Sequence, residues 1–280
     1  MSNIDRLVQH CPGKRALITG AGSGLGRAFA LDLARRGWSI ALLDLSEERL
    51  ESVAREVEGA GGRAFHTALD VVSDGLEQAF IDFAETEGGL DLCINNAGVA
   101  VAGPFAQISD SDWRWQTEIN LMAVVRGCRQ AARLMSGRGI IINIASAASF
   151  ACAPQMSPYN VTKAGVVALS ETLAVELADQ GISVAVAMPT FFQTRLTETM
   201  RGSAEARDFA AKLMRRSAYT AKRAAADILS AAARGDLYIP VPNSARWLWR
   251  FKRLAPTLFR RRLAGFARGE RGKPGRKQKA

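Results

Sequence analysis

Three side chains between residues 146 and 163 have the right chemistry and spacing to move a proton. Tyr159 and Lys163 are four residues apart, a spacing that stacks two side chains on one face of a helix. A free tyrosine titrates near pH ~10, but a neighbouring ammonium group favours its phenolate form. Ser146 ends the apolar run 139–146, which predicts a strand. Together the three residues indicate a general acid/base centre.

The Tyr-x-x-x-Lys pair alone is weak evidence for such a centre. It occurs often by chance, and the commoner interpretation is a half-buried helical tyrosine beside a solvated lysine. The elements around the pair must therefore decide between the two.

A glycine-rich turn at residues 20–26 follows an apolar strand at 16–19 and precedes a helical pattern at 27–36. Glycines allow the backbone to turn tightly and to approach a pyrophosphate closely, and the following helix offers free N–H groups and the positive end of its dipole. A ligand-free turn is the alternative.

The second predicted strand, 39–44, ends in Asp44, about twenty residues beyond the glycines, where a carboxylate can accept both ribose hydroxyls of an adenosine. Ser46 is the predicted N-cap of the next helix, which leaves the Asp44 carboxylate free for a ligand. Neither Ser23 nor Leu45 supplies the positive charge that a 2′-phosphate requires. We therefore expect NAD rather than NADP.

Further strands are predicted at 63–69, 90–94, 139–144, 182–188 and 237–239, separated by helices at 47–57, 75–87, 112–134 and 221–233. This alternation predicts a parallel sheet with right-handed crossovers. Asn120 lies within the long predicted helix, where its amide either binds a water or a backbone carbonyl near the active centre or is simply solvated.

Composition limits the function classes. The chain has 280 residues, 48% of them apolar, enough for one sizeable core. Its net charge of +10 belongs to the end of the chain, because residues 246–280 hold thirteen Lys/Arg and one acid. Four scattered cysteines and two histidines predict no metal site and reduced thiols. With no predicted signal peptide or membrane span, we expect a cytoplasmic protein, at most peripheral to a membrane.

From about residue 14 to residue 240 the chain resembles the short-chain dehydrogenase/reductase family. The matching motifs are Thr19-Gly20-x-x-x-Gly24-x-Gly26, Asp70, Asn95-Asn96-Ala97-Gly98, Asn120, Ser146, Tyr159-x-x-x-Lys163 and a loop that begins at Pro189. The resemblance implies an α/β fold: a single Rossmann-like, doubly wound parallel sheet of about seven strands with helices on both faces. The domain would span 1–243, with a cofactor half at about 14–140 and a catalytic half at about 141–243.

The resemblance also implies roles for the residues. Tyr159 would be the general acid/base, Ser146 would polarise the substrate oxygen, and Lys163 would bind the nicotinamide ribose and lower the tyrosine pKa. Asn120 would complete a water-linked proton relay. The expected cofactor residues are Gly20, Ser23, Gly24, Leu25, Gly26, Asp44, Leu45, Asp70, Val71, Asn96, Ala97, Gly98, Tyr159, Lys163, Pro189, Thr190 and Thr194. Thr190 stands where the family usually has glycine, and Ala145 where many members have a second serine.

The implied reaction is hydride transfer between NAD(H) and a secondary alcohol or ketone. The predicted substrate wall, apart from Ser146 and Tyr159, is apolar and suits a lipophilic compound: Val101, Phe105, Phe150, Met156, Phe191, Phe192, Leu196 and Met200. Alternatively these residues only close a lid over the core. An acidic substrate would require Arg195 or Arg201 to turn inward. The resemblance also implies a homodimer or homotetramer, assembled through the helices that begin near residues 112 and 159.

Residues 244–268 predict a basic amphipathic tail, and 269–280 a disordered basic end. Trp247, Phe251 and Leu254 share one helical face, and arginines share another. A second short helix begins near Pro256, with Phe259, Leu263 and Phe266 aligned on it. The tail either binds anionic headgroups or packs on the protein.

A different class, a dinucleotide-sensing or nucleic-acid-associated protein, would use the basic tail to contact phosphates. A sensor does not need the full set of Ser146, Tyr159, Lys163 and Asn120. The enzyme is therefore favoured, and nucleic acid is not an expected partner.

Overall fold

The structure is a computed structural model, and it describes residues 3–190, 196, 198–203, 207–208, 212, 215 and 217–267, with the side chains of 3–6 and 266–267 left out. Its strands are β1 Arg15–Thr19, β2 Ser39–Asp44, β3 Arg63–Ala68, β4 Leu92–Asn95, β5 Val101–Ala102, β6 Gly139–Ile144, β7 Ile182–Pro189, β8 Arg201–Gly202 and β9 Tyr238–Val241. Seven of them form one parallel sheet in the order β3-β2-β1-β4-β6-β7-β9, and β5 pairs with β8 separately.

Helices cover both faces of the sheet. The α-helices are Asn3–His10, Gly24–Ala34, Glu47–Gly59, Gly75–Glu87, Asp110–Thr117, Ala123–Leu134, Ala148–Ala151, Ser157–Glu176, Ala221–Ala232, Asn243–Leu254 and Pro256–Ala267. One apolar core lies between the sheet and the helices that include Phe29, Leu50 and Ile228. A second core lies on the other face, under the helices that include Phe80 and Val166. The predicted doubly wound α/β fold is confirmed.

The strand order reverses between β1 and β4, since β2 and β3 lie on one side of β1 and the later strands on the other. In open parallel sheets a ligand crevice forms at such a point, outside the carboxyl ends of the strands. Thr19 and Asn95 end the two strands that flank this crevice.

The helix predicted at 112–134 is two α-helices joined by a π-helical turn, Glu118–Met122, and Asn120 lies in that turn. π-turns are frequent at functional sites because they redirect side chains. The N-terminal helix Asn3–His10 was not predicted. Its Leu7 is buried in the core beside the helix Ala221–Ala232, so its position depends on a contact distant in sequence.

A column of buried polar side chains connects the sheet to the helix that carries Tyr159. Asn95 Nδ2 donates to Asn143 Oδ1 at 2.9 Å, and Asn143 Nδ2 donates to Ser170 Oγ at 3.0 Å. All three residues are buried. Because buried amides are costly without partners, this column favours one position of the helix Ser157–Glu176 against β6.

We expect Asn143→Leu to lower the free energy of unfolding by about 2–3 kcal/mol, because it leaves Asn95 Nδ2 without its amide acceptor in the core. Urea titration of purified protein measures this loss. Ser170→Ala should cost about 1 kcal/mol, and Thr172→Ala, an exposed position of the same helix, less than about 0.5 kcal/mol. An Asn143→Leu protein as stable as the wild type would contradict the role of the column.

Candidate active site

The glycine turn after β1 is held by the loop after β4. Thr19 Oγ1 accepts from the backbone N–H groups of Asn96 at 3.0 Å and Ala97 at 3.1 Å. In return, Asn96 Nδ2 donates to the carbonyl oxygens of Thr19 and Gly20, each at 3.0 Å. Asn96, predicted as a cofactor residue, thus lines the cavity and also fixes the shape of the turn.

The helix Gly24–Ala34 points its N-terminus at the crevice. A Cβ atom at Gly26 would lie 2.1 Å from the Gly20 carbonyl oxygen, so only glycine allows this close packing of helix and turn. The N-cap residue Ser23 forms no side-chain capping bond within the described part of the chain. The first N–H groups of the helix therefore remain available to a pyrophosphate.

Asp44 ends β2 beside the glycine turn, and its carboxylate has a cationic neighbour that the sequence reasoning missed. Asp44 Oδ2 accepts from the Gly22 N–H at 3.0 Å, and Oδ1 accepts from Arg49 Nη2 at 2.8 Å. Arg49 Nε is buried and has no hydrogen-bond partner among the described residues. Ser23 and Leu45 were considered as sources of positive charge, but the charge beside Asp44 comes from Arg49, in the first turn of the following helix.

A cavity of about 490 Å³ runs from Asp44 to Tyr159. Fifteen predicted cofactor residues line it: Gly20, Ser23, Gly24, Leu25, Asp44, Leu45, Asp70, Val71, Asn96, Ala97, Gly98, Tyr159, Lys163, Pro189 and Thr190. Gly26 lies buried behind them, and Thr194 lies outside the described residues. A cavity with a carboxylate at one end, a helix N-terminus and a buried ammonium fits a dinucleotide.

Tyr159 and Lys163 lie on one face of the helix Ser157–Glu176, as predicted, with Lys163 Nζ 5.8 Å from the centre of the Tyr159 ring. Lys163 Nζ donates to the Ile144 carbonyl at 2.7 Å, and burial lowers the pKa of this ammonium to about 8. Burial raises the pKa of the Tyr159 phenol, while its hydrogen bond with Ser146 lowers it. The lowered tyrosine pKa expected from the sequence does not arise from the protein side chains alone.

Ser146 follows β6 and faces the same cavity as Tyr159. Its Oγ accepts from the Ala148 N–H at 3.1 Å. This bond fixes the Ser146 hydroxyl at the start of the short helix Ala148–Ala151. In this position the Ser146 hydroxyl also forms a hydrogen bond with the Tyr159 hydroxyl. Ser146 and Tyr159 therefore present two hydroxyl groups to one point of the cavity.

Asn120 is fully buried and forms two hydrogen bonds with the backbone of Val99, one as donor and one as acceptor. Its Nδ2 donates to the Val99 carbonyl at 2.8 Å, and its Oδ1 accepts from the Val99 N–H at 2.8 Å. The sequence allowed either an amide bound to the backbone or a solvated amide. The structure shows the amide bound to the backbone. Asn120 does not line the cavity, and its role in a proton relay stays a prediction.

The substrate wall differs from the predicted one. Met156 lines the cavity, but Val101 is buried in β5, Phe150 lies in the core, and Phe105 is 71% exposed on the surface. Phe191 and Phe192 lie outside the described residues. Leu196 and Met200 also line the cavity, as predicted, and the structure adds Leu248 from the C-terminal tail.

Of the two arginines considered for an acidic substrate, the structure describes only Arg201, and it does not support one. Arg201 Nη1 lies 3.3 Å from Asp112 Oδ1, and its guanidinium stacks 3.7 Å from the centre of the Trp115 ring. It is therefore held on the surface, not in the cavity. Arg195 lies outside the described residues. No described group of three His, Cys, Asp or Glu side chains could hold a metal ion.

Comparison with known proteins agrees with this geometry. The family model of short chain dehydrogenases matches residues 14–205. The chain belongs to the short-chain dehydrogenase family. It is therefore an oxidoreductase with an NAD(P) site, and its family acts on alcohols or ketones. A curated relative, 3beta-hydroxysteroid dehydrogenase 1 of Eggerthella lenta, is 35% identical over 200 residues, which cover 70% of this chain and 77% of the relative.

Two solved structures show that related folds hold either cofactor. A short-chain dehydrogenase/reductase from Burkholderia phymatum in complex with NAD has a TM-score of 0.81 and 29% identity, covering 87% of this chain and 94% of its own. A short-chain dehydrogenase from Sphingobium yanoikuyae in complex with NADPH has a TM-score of 0.71 and 27% identity, covering 95% and 98%.

We expect NAD affinity to be highest below pH ~8 and to fall as the pH rises through this value, because Lys163 then loses the proton of its ammonium group. Replacing a charge-assisted hydrogen bond by a neutral one costs about 1 kcal/mol, so the dissociation constant should rise about fivefold. Quenching of tryptophan fluorescence by NAD measures it.

Lys163→Met should bind NAD more weakly at neutral pH and show no such pH dependence. Lys222→Met, a change at an exposed lysine of the helix Ala221–Ala232, is the matched control and should behave like the wild type. A wild-type affinity that stays constant across this pH range would contradict the assignment of Lys163.

Proposed function

We propose that the protein transfers a hydride between NAD(H) and the carbinol carbon of a lipophilic secondary alcohol or its ketone. The observation that carries this proposal is the convergence of the Tyr159 and Ser146 hydroxyls and the Lys163 ammonium on one cavity, opposite the carboxylate of Asp44. The nicotinamide ring, when bound, supplies or accepts the hydride. The protein positions the substrate and moves the proton.

In the direction of oxidation, the Tyr159 phenolate removes the proton of the substrate hydroxyl while Ser146 Oγ–H donates to the same oxygen. In reduction, the Tyr159 hydroxyl donates its proton to the carbonyl oxygen. The hydrogen bond with Ser146 partly offsets the effect of burial on the tyrosine pKa, and the positive charge of the Lys163 ammonium favours the phenolate further. Both hydroxyls and the ammonium are held by hydrogen bonds or packing before a substrate arrives, which reduces reorganisation during the reaction.

The lipophilic class rests on the side chains around Tyr159. Met156, Leu196 and Met200 pack around Tyr159 together with several alanines, and Leu248 lines the same cavity. Glu198 also lines it and disfavours an anionic substrate. The curated relative named above acts, by its name, on a hydroxysteroid, which agrees with an apolar substrate here.

Preference for NAD rests on Asp44, because a carboxylate can accept both ribose hydroxyls and repels a 2′-phosphate. Arg49 moderates this preference, since its guanidinium lies 2.8 Å from the same carboxylate. We infer that the pair acts as a unit: Asp44 selects the diol, and Arg49 keeps the carboxylate oriented.

The helix Ser157–Glu176 supports a homo-oligomer. It exposes Val161, Ala168, Thr172 and Val175 along one face, and Val175 is 79% exposed. Small and apolar side chains on a helix face allow close packing against a second copy. We infer that this face, with the neighbouring helix Ala123–Leu134, forms the subunit contact.

We expect Tyr159→Phe to lower kcat by about 10²- to 10⁴-fold, because it removes the proton-transferring hydroxyl and leaves the ring in place. NAD affinity should remain close to that of the wild type. A panel of secondary alcohols and ketones, followed by nicotinamide absorbance, identifies a substrate and then measures the loss. Turnover within a few-fold of the wild type would refute the role of Tyr159.

We expect Asp44→Ala alone to shift the affinity ratio of NADP to NAD by about 100-fold towards NADP, since it removes a like charge from the 2′-phosphate and frees Arg49 to bind it. Dissociation constants for both cofactors measure the ratio. In the double variant Asp44→Ala/Arg49→Gln most of the gain should disappear.

Arg55→Gln, a substitution in the same helix on its exposed face, is the control and should not change the ratio. If the double variant binds NADP as well as Asp44→Ala does, Arg49 has no part in cofactor choice. A wild-type protein that binds NADP more tightly would refute the NAD preference itself.

A further inference from the structure

The two C-terminal helices, Asn243–Leu254 and Pro256–Ala267, expose apolar side chains to solvent. Trp247 is 72% exposed, Leu254 86% and Leu258 46%. Together with Arg250, Arg260 and Arg261, which are also exposed, they form what we call the tail surface. Monomeric proteins rarely leave large apolar side chains grouped in this way without a partner.

The opposite side of the same helices is fixed to the domain. The rings of Trp249 and Tyr238 lie 5.0 Å apart, with Arg253 above both. Phe259 is buried, with its ring 5.8 Å from that of Phe251. The sequence had placed Trp247, Phe251 and Leu254 on one common face. The structure packs Phe251 against Phe259 and leaves Trp247 and Leu254 exposed, so one side of the tail packs on the protein and membrane binding stays a prediction.

The charge of this segment is of one sign. Residues 243–267 contain seven Lys/Arg and no Asp or Glu, whereas the body of the chain is close to neutral. The Arg250 guanidinium lies 5.5 Å from the centre of the Trp247 ring, which places cation and apolar ring on the same surface. A surface that combines aromatic rings with arginines suits the boundary between anionic headgroups and acyl chains.

The tail surface lies beside the mouth of the cavity. Leu248, the neighbour of Trp247, lines the cavity that contains Ser146 and Tyr159 and is itself 41% exposed. Whatever covers Trp247 therefore lies next to the entrance for the substrate. No helix among the described residues is long and apolar enough to cross a membrane, so the helices would lie on a bilayer.

We propose that the tail surface binds the surface of an anionic lipid bilayer and sets the mouth of the cavity against it. The charge complementarity selects lipid of negative charge, and Trp247, Leu254 and Leu258 enter the headgroup region. Lipid binding is independent of the proposed function. Only the consequence, access of lipid-dissolved substrates to the site, rests on the proposed function.

The test is co-sedimentation of the full chain with two kinds of vesicle. Neutral vesicles contain phosphatidylcholine alone, and anionic mixed vesicles contain phosphatidylcholine and phosphatidylglycerol. We expect binding to the mixed vesicles that weakens with salt. The triple variant Trp247→Ser/Leu254→Ser/Leu258→Ser should lower the partition coefficient at least tenfold. Arg260→Gln/Arg261→Gln should lower it by about tenfold or more.

Matched controls remove the same kinds of groups elsewhere. Phe105→Ser removes an equally exposed aromatic ring, and Arg55→Gln/Lys222→Gln removes two exposed charges. Both should bind vesicles like the wild type. Thermal unfolding and NAD binding show that each variant is folded. Point substitutions are preferable to truncation at residue 243, because truncation would also remove Trp249 and Phe259 from the domain.

Three results would overturn the proposal. One is wild-type vesicle binding by the triple variant. Another is binding of the wild type to nucleic acid but not to vesicles. The third is a loss of oligomeric state in the triple variant on gel filtration, which would assign the surface to a second copy of the chain. No substrate is needed for these measurements, so their failure leaves the proposed function standing, and an inactive enzyme leaves lipid binding standing.

A second measurement addresses the consequence for substrates. On a ketone dissolved in mixed vesicles, the triple variant should turn over more slowly than the wild type. On a water-soluble ketone the two should be equal. Equal rates on the vesicle-borne ketone would refute the delivery of substrate from lipid.

Discussion

The site depends on a set of buried side-chain hydrogen bonds that joins the ends of neighbouring strands. Thr19 and Asn96 bind the turn after β1 to the loop after β4. Asn95 then donates a hydrogen bond to Asn143 in β6, and Asn143 donates one to Ser170 in the helix Ser157–Glu176. The cofactor end and the proton-transfer end are therefore connected through paired polar groups that would be costly to separate. This rigidity lets Tyr159, Ser146 and Lys163 share one point of the cavity.

Electrostatics at the two ends of the cavity differ in kind. At the Asp44 end, the Arg49 side chain is 39% exposed and that of Asp44 only 10%, so solvent partly screens their ion pair and the pair adds little to the stability of the fold. At the nicotinamide end, burial lowers the pKa of Lys163 and raises that of Tyr159. Both shifts disfavour charge. We propose that the positive ring of a bound, oxidised cofactor favours the phenolate and so prepares Tyr159 to act as a base.

The first helix of the C-terminal tail is part of the folded domain. By sequence the tail is a basic appendage, yet its helix Asn243–Leu254 supplies Leu248 to the cavity and Ala245 to the core. The same helix exposes Trp247 to solvent. Substrate entry and the proposed binding to a bilayer would therefore depend on adjacent residues of one helix. Membrane binding could in this way affect the turnover of the enzyme.

The sequence by itself determined the parts of the site that depend on local spacing. The glycine turn, the acid at the end of β2, the Tyr159–Lys163 pair and the alternation of strands and helices are all readable because each is set by the geometry of a single turn, strand or helix. Which side chains from distant segments line the cavity depends on the tertiary structure. Leu248 reaches the cavity from beyond the last strand, and Phe105, although apolar, lies on the surface and not in the cavity wall. Hydrophobicity and spacing do not specify such contacts, because they depend on where separate elements meet in space.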